Sequence, residues 1–166
     1  NEAGIYGTLG TASASNVPGG RGDSSTWIDG SGNLWLFGGA GLDSNGTERL
    51  LNDLWEFNPT AKTWTWVSGS NVGNAAGTYG TLGTGSASNS PGARNGSVSW
   101  TDSAGNLWLF GGDGLGSTGT GGGIGTSLND LWKVSPTAKA WTWVGGSNLE
   151  NAAGTYGTLG TASTSN

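Results

Sequence analysis

The stretch Asn33-Leu34-Trp35-Leu36-Phe37-Gly38-Gly39 returns unchanged as Asn106-Leu107-Trp108-Leu109-Phe110-Gly111-Gly112. An internal copy of this kind means that one supersecondary unit is built twice, so the fold must be a repeat array. The rest of the chain falls into the same register. Trp27 matches Trp100 at the spacing of the two copies, and Trp55, Trp64 and Trp66 match Trp132, Trp141 and Trp143 at a spacing four residues longer. The extra residues fall between Gly112 and Leu128, and an insertion that spares its flanks marks a surface loop. A further motif, Ala-Gly-x-Tyr-Gly-Thr-Leu-Gly-Thr, occurs at 3–11, 76–84 and 153–161. Linker repeats at 1–16, 70–89 and 147–166 thus alternate with two units at 17–69 and 90–146.

Each unit reads as four short antiparallel strands. The first is expected over 24–29, around Trp27, and a tight turn at Gly30-Ser31-Gly32 follows. In the second, alternation sets Leu34 and Leu36 on one face and Trp35 and Phe37 on the other, so both faces are apolar and both are expected to be buried. Gly38-Gly39, and Gly111-Gly112 in the second unit, are expected to end that strand through backbone angles that side-chained residues resist. The third strand is expected over 52–57, carrying Trp55 and Phe57. After Asn58-Pro59-Thr60 the fourth follows over 63–67, with Trp64 and Trp66 sharing a face. The corresponding core of the second unit is Trp100, Leu107, Trp108, Leu109, Phe110, Trp132 and Trp141. An all-β fold of two four-stranded antiparallel propeller blades is the reading.

The apolar strand closing on Gly38-Gly39, the Asn52-Asp53 opening of the third strand, Phe57 ahead of Trp64, and Pro18-Gly19-Gly20-Arg21 ahead of the first strand together resemble a kelch repeat of galactose-oxidase-like β-propellers. They recur in the second unit, where Pro91-Gly92-Ala93-Arg94 stands and Val134 replaces the aromatic. Each unit runs to about 75 residues against roughly 50 for kelch, most of the excess being linker. The resemblance implies blades ranged around a channel, typically about four to eight. Two blades leave faces open, and aromatic side chains of about 150–250 Å² each would build a patch as large as any on a typical monomer. The blades are therefore expected to be completed by oligomerisation with copies of the same chain, head to tail, or by further blades of a longer chain. At least seven of the ten tryptophans are expected between blades. Tyr6, Leu9, Tyr79, Leu82, Tyr156 and Leu159 are expected to give the linkers ordered packing.

The composition excludes much chemistry. With no histidine and no cysteine, zinc sites, thiol nucleophiles and the usual general base are gone, as are the ligands of a galactose-oxidase copper site. No cofactor and no enzymatic activity are expected. Asp29 and Asp102 lie in short turns where Asp caps its own backbone. Asp53 and Asp130 are expected to pair with Arg21 and Arg94 across neighbouring blades. An enzyme would need a carboxylate pair or a metal on the rim, where Asp43 and Asp113 are the residues to change. The net charge of -5, with six scattered cations, points away from nucleic acid and from membrane insertion. Arg21-Gly22-Asp23 is not repeated in the second unit, so it reads as chance. Asn45-Gly46-Thr47 and Asn95-Gly96-Ser97 read as turns, and the glycine run 119–125 as a surface loop. The wealth of Gly, Ser, Thr and Asn without Cys leans towards an extracellular or cell-surface location, and Asn1 in place of Met towards a processed chain or a piece of a longer one. The expected function is a non-enzymatic, self-assembling unit, as a closed multi-chain propeller or a head-to-tail filament. The alternative is a module binding glycan or protein at the loop-rich rim, with Trp66 and Trp143 partly exposed.

Overall fold

The computed structural model describes residues 2–120 and 125–163, so part of the expected glycine loop, residues 121–124, lies outside the described residues. The described chain is all β. Strands β1 (Arg21–Gly22) and β2 (Ser25–Ile28) both pair with β3 (Leu34–Leu42), β3 pairs with β4 (Glu48–Asn58), and β4 with β5 (Thr63–Ser68), all antiparallel. The second sheet repeats this with β6 (Arg94–Asn95), β7 (Val98–Thr101), β8 (Leu107–Gly114), β9 (Ser127–Ser135) and β10 (Ala140–Gly145). These are two propeller-like blades, not closed into a ring. The expected first strand is β2, and a separate two-residue strand, β1, precedes it across Asp23, which takes a left-handed backbone (φ 54).

The glycine pairs do not end the second strand. β3 runs on to Leu42, and its register against β4 slips between Phe37 and Gly39, where Gly38 and Gly39 adopt φ 63 and 98. The pair makes a bulge that bends the strand instead of stopping it, a use open to glycine because it tolerates positive φ. Gly38 serves a second purpose. A Cβ there would stand 2.7 Å from the carbonyl oxygen of Arg94 in the other blade, so its lack of a side chain lets the blades approach.

The blades meet face to face. Trp27, Trp35, Phe37, Leu54 and Val67 of the first close on Leu107, Leu109, Trp132, Val134 and Trp141 of the second, with Tyr79 between them. Phe37 and Trp141 meet edge-on with centroids 5.2 Å apart. The Trp27 indole donates to the Trp108 carbonyl (3.0 Å) and the Trp141 indole to Ser68 Oγ (3.3 Å), so polar edges enter the apolar interface already satisfied. Lys139 pairs with Glu56 across its margin at 2.9 Å. Within the chain this interface takes Trp27, Trp35, Trp132 and Trp141, with Trp143 packed against it. Each blade has two apolar faces, and the chain joins one face of each.

Candidate functional site

The first and second linkers are each bound to the blade that follows them. Residues of the first linker extend the outer edge of β5: Gly10 N–H donates to the Trp66 carbonyl (2.8 Å) and Ser13 exchanges backbone bonds with Trp64. The second linker treats β10 alike, through Gly83 to Trp143 and Ser86 to Trp141. Asn16 and Asn89 fix the turn by donating to the carbonyls of Trp64 and Trp141. Leu9 and Leu82 were expected to pack but remain exposed, because they stand at the tips of turns closed by Thr11 N–H to Thr8 and Thr84 N–H to Thr81.

What anchors the linker is its tyrosine. The Tyr6 hydroxyl donates to Asp53 Oδ2 at 2.6 Å, beside the Trp55 indole N–H at 2.7 Å, while Arg21 forks onto both carboxylate oxygens at 2.6 and 2.8 Å. Arg21 also donates to the carbonyls of Gly19 and Gly38. Blade 2 builds the same cradle from Tyr79, Asp130, Trp132 and Arg94, with Gly92 and Gly111. The Arg–Asp pairs therefore form as expected but within a blade, not across neighbouring blades, because Arg21 on β1 and Asp53 on β4 flank the same central strand β3. The tyrosine ring lies over the indole below it, Tyr6 to Trp55 at 4.9 Å and Tyr79 to Trp132 at 4.8 Å, and meets Trp66 or Trp143 edge-on. Trp66 and Trp143 are thus half-buried cradle walls whose indoles donate to the carbonyls of Ser68 and Gly145. Among the described residues no buried side-chain nitrogen or oxygen lacks a partner.

The cradle sets the pH range of the fold. Burial alone would raise the Asp130 pKa, but the Arg94 charge and the hydrogen bonds from Arg94, Tyr79 and Trp132 hold it below the ordinary carboxylate value. At the β7–β8 turn the side chains of Asn106 and Trp108 hold Asp102 at about 2. Groups with lowered native pKa values stabilise fully above the unfolded value of about 4, and that stabilisation is lost as pH falls through the native value. Burial, then the Asp53 or Asp130 charge, raises Tyr6 and Tyr79, so their contribution is complete below about pH 10 and lost above it. The expected stability profile is a plateau from about pH 5 to 9, with an acid limb between about 4 and 2 and an alkaline limb above about 10. Urea midpoints across that range test it, and a midpoint unchanged between pH 5 and 2.5 contradicts it.

Asp29, Asp102 and Asp43 act as turn caps. Asp29 accepts from the backbones of Ser31 and Asn33 and the Trp35 indole, and Asp102 from Ala104, Asn106 and Trp108. Asp43 accepts the amides of Asn45, Thr47 and Gly73, tying the loop after β3 to the loop after β5. Asp113 accepts from Ser127 Oγ at 3.3 Å.

The open faces remain. On blade 1 Leu34 is 40% exposed, whereas its copy Leu107 is 0%, and on blade 2 Phe110 is 43% exposed against 1% for its copy Phe37. Trp100 also stands out, so Leu34, Trp100 and Phe110 are not buried as the sequence reading expected. The open face of blade 1 carries Leu34, Leu36, Phe57 and Trp64 above Trp55, in the register β3–β4–β5 dictates. The open face of blade 2 carries Val98, Trp100, Trp108 and Phe110, with Trp100 and Trp108 stacked at 5.9 Å and Lys133 Nζ 5.7 Å over Trp108. Each exposed face is the repeat counterpart of a face buried in the internal interface.

No protein-family model matches the chain, and no curated protein matches it. Among solved structures it is similar to the structure of YjhT, with a TM-score of 0.55 at 19% identity, over 80% of this chain and 40% of that one. The chain thus spans less than half the length of that protein, and the likeness is one of fold.

Proposed function

We propose that this chain is a non-enzymatic, self-assembling pair of kelch-type blades that works as a repeat unit of an extracellular structural or adhesive protein, as a closed multi-chain propeller or a head-to-tail filament. One observation carries the reading: the face left open on each blade is the repeat counterpart of a face buried between them. Laying the open face of blade 2 on the open face of blade 1 in a second copy brings together the repeat counterparts of the internal interface. Phe110 then meets Trp64 as Phe37 meets Trp141, and the Trp100 indole reaches the Trp35 carbonyl as Trp27 reaches Trp108. Such a contact is heterologous, so it closes into a ring or runs on as a fibre according to the rotation per unit. Light scattering on the purified chain tests it. Three or four times 16.5 kDa means rings and a large heterogeneous mass means filaments, whereas a stable 16.5 kDa species at high concentration overturns the proposal.

The copied interface departs from the original at several positions: Gly145 stands where Ser68 accepts the Trp141 indole, Phe57 stands where Val134 packs, and one ion pair becomes a like pair. Where Lys139 meets Glu56 between the blades, the junction between copies brings Lys62 against Lys133, a like pair. Exposed pairs contribute up to about 1 kcal/mol, so Lys133→Glu is expected to tighten association roughly five-fold. Association of the unaltered chain should strengthen with salt, and that of the variant should weaken. Sedimentation at two ionic strengths checks both, and unchanged salt dependence would place Lys133 outside the junction.

A second reading, a glycan- or protein-binding module, draws on the cleft of about 610 Å³ between the linker turn at Leu9–Gly10 and residues 87–90, whose polar lining includes Asn52, Ser68, Ser70, Ser88, Ser90 and Lys139. A binding signal on a polysaccharide array, lost with Asn52→Ala and unaffected by disassembly, would favour it.

A further inference from the structure

We propose that the third linker copy, residues 153–163, is an exchange strand that seats in the Tyr6 cradle on blade 1 of a neighbouring copy and displaces that copy's own residues 3–13. The inference rests on the head-to-tail assembly proposed above and says how its junctions are tied.

The occupant is identified by its sequence. Residues 153–163 differ from residues 3–13 only in Thr155 for Ile5, and the second cradle already accepts a threonine there, Thr78. Thr78 pairs with Ser90 just as Ile5 pairs with Val17, so the substitution costs no backbone contact. Yet where Tyr6 and Tyr79 are buried, Tyr156 is 89% exposed and Leu159 is 100% exposed. In a segment whose copies twice fold onto a blade, the tyrosine that anchors it stands exposed here.

Its path is also prepared. The second linker leaves blade 1 through Asn74, which has φ 58 and whose amide donates to the Leu50 carbonyl while its side chain accepts from Leu50 N–H. The third leaves blade 2 through Asn151, with φ 55, bound in the same two ways to Ser127. Ten residues lie between Ser68 and Tyr79, and ten between Gly145 and Tyr156. When blade 2 of one copy docks on blade 1 of the next with the internal geometry, Tyr156 therefore arrives at Asp53, where Tyr6 already sits.

Two tyrosines cannot share that carboxylate. Asp53 Oδ2 already accepts Tyr6, Trp55 and Arg21, and Asp53 is fully buried. The incoming and outgoing strands offer the cradle the same groups, so exchange leaves its hydrogen bonds intact. The incoming strand adds what the resident lacks, a chain connection to the blade that has just docked. The junction then gains the threaded tie that the second linker provides between blades 1 and 2.

The absence of cysteine permits a direct test. A Cβ at Gly85 would lie 2.9 Å from Thr142 Oγ1, which marks a site where a disulfide could span linker and blade. On blade 1 the matching positions are Thr65 with Ala12 for the resident strand and Thr65 with Ala162 for the incoming one. Under mild oxidation at an assembling concentration, Thr65→Cys/Ala162→Cys is expected to give a reducible ladder of covalent multimers in most of the protein, and Thr65→Cys/Ala12→Cys little cross-linking within chains. Assembly by light scattering with no ladder, and with Thr65→Cys/Ala12→Cys closing inside single chains, overturns the exchange and leaves face-to-face assembly standing. A mass of 16.5 kDa at every concentration removes both.

Discussion

Asp130→Ala is expected to lower the melting temperature by roughly 10 °C or more. The reason is what it leaves behind. Arg94 is 1% exposed and its charge is answered by Asp130, while Tyr79 and Trp132 donate to the same carboxylate. Removing one partner of a buried pair costs about 3–5 kcal/mol, a large part of the roughly 5–15 kcal/mol that holds a domain together. Losing the Tyr79 anchor also frees the second linker from β10, so the loss should spread to the blade edge. The double variant Arg94→Met/Asp130→Leu should fall less far, since it strands no charge. Calorimetry on the three proteins decides: a shift under about 2 °C for Asp130→Ala means the cradle does not hold the blade.

The second large effect is on association. Phe110→Asp is expected to abolish assembly, weakening it more than 30-fold, while leaving the fold of the single chain intact. Phe110 lies on the open face of blade 2, so a carboxylate there stays hydrated in the free chain. At the copied interface it would be pressed against Trp64, at the place where Phe37 meets Trp141. Losing a central aromatic anchor costs about 2 kcal/mol or more, and desolvating an unpaired charge adds to that. Light scattering should return 16.5 kDa, and circular dichroism an unchanged melting curve. An unchanged assembled mass would mean the chains meet through some other surface.

Much of this architecture is legible in the sequence because the repeat supplies its own alignment. Trp55 and Trp132 fix the register of the third strands, and the faces of Leu34 and Trp35 follow from simple alternation. The bulge at Gly38-Gly39 was not legible as such, since two glycines signal positive φ but not whether the pairing partner continues beyond them. The Arg21–Asp53 pair could be read from residue type, yet its placement within a blade depends on the break at Asp23, which puts β1 beside the far half of β3. The cradle's tyrosine was visible as a repeated letter and its partner was not, because the hydrogen bond joins residues far apart in the chain. The signal that could have found it is co-recurrence: Tyr, Arg, Asp and Trp return together in both units.

The order in which linker and blade leave the ribosome has a kinetic consequence. Each linker is made before its blade, but the strand it pairs with is the last of that blade, so Ser13 waits for Trp64 on β5, and Tyr6 waits for Asp53 on β4. Closure is therefore a late, long-range event, the slow kind for a β topology. While the first cradle stands empty, the second linker, with the same tyrosine and nearly the same backbone path, emerges immediately behind β5. Near-identical repeats thus compete for one seat during folding, and a chain that seats the wrong copy must unthread before its second blade can form. Refolding should be slowed by an added peptide of residues 153–163 in proportion to its concentration, a penalty that arises from the same repetition that lets the blades extend.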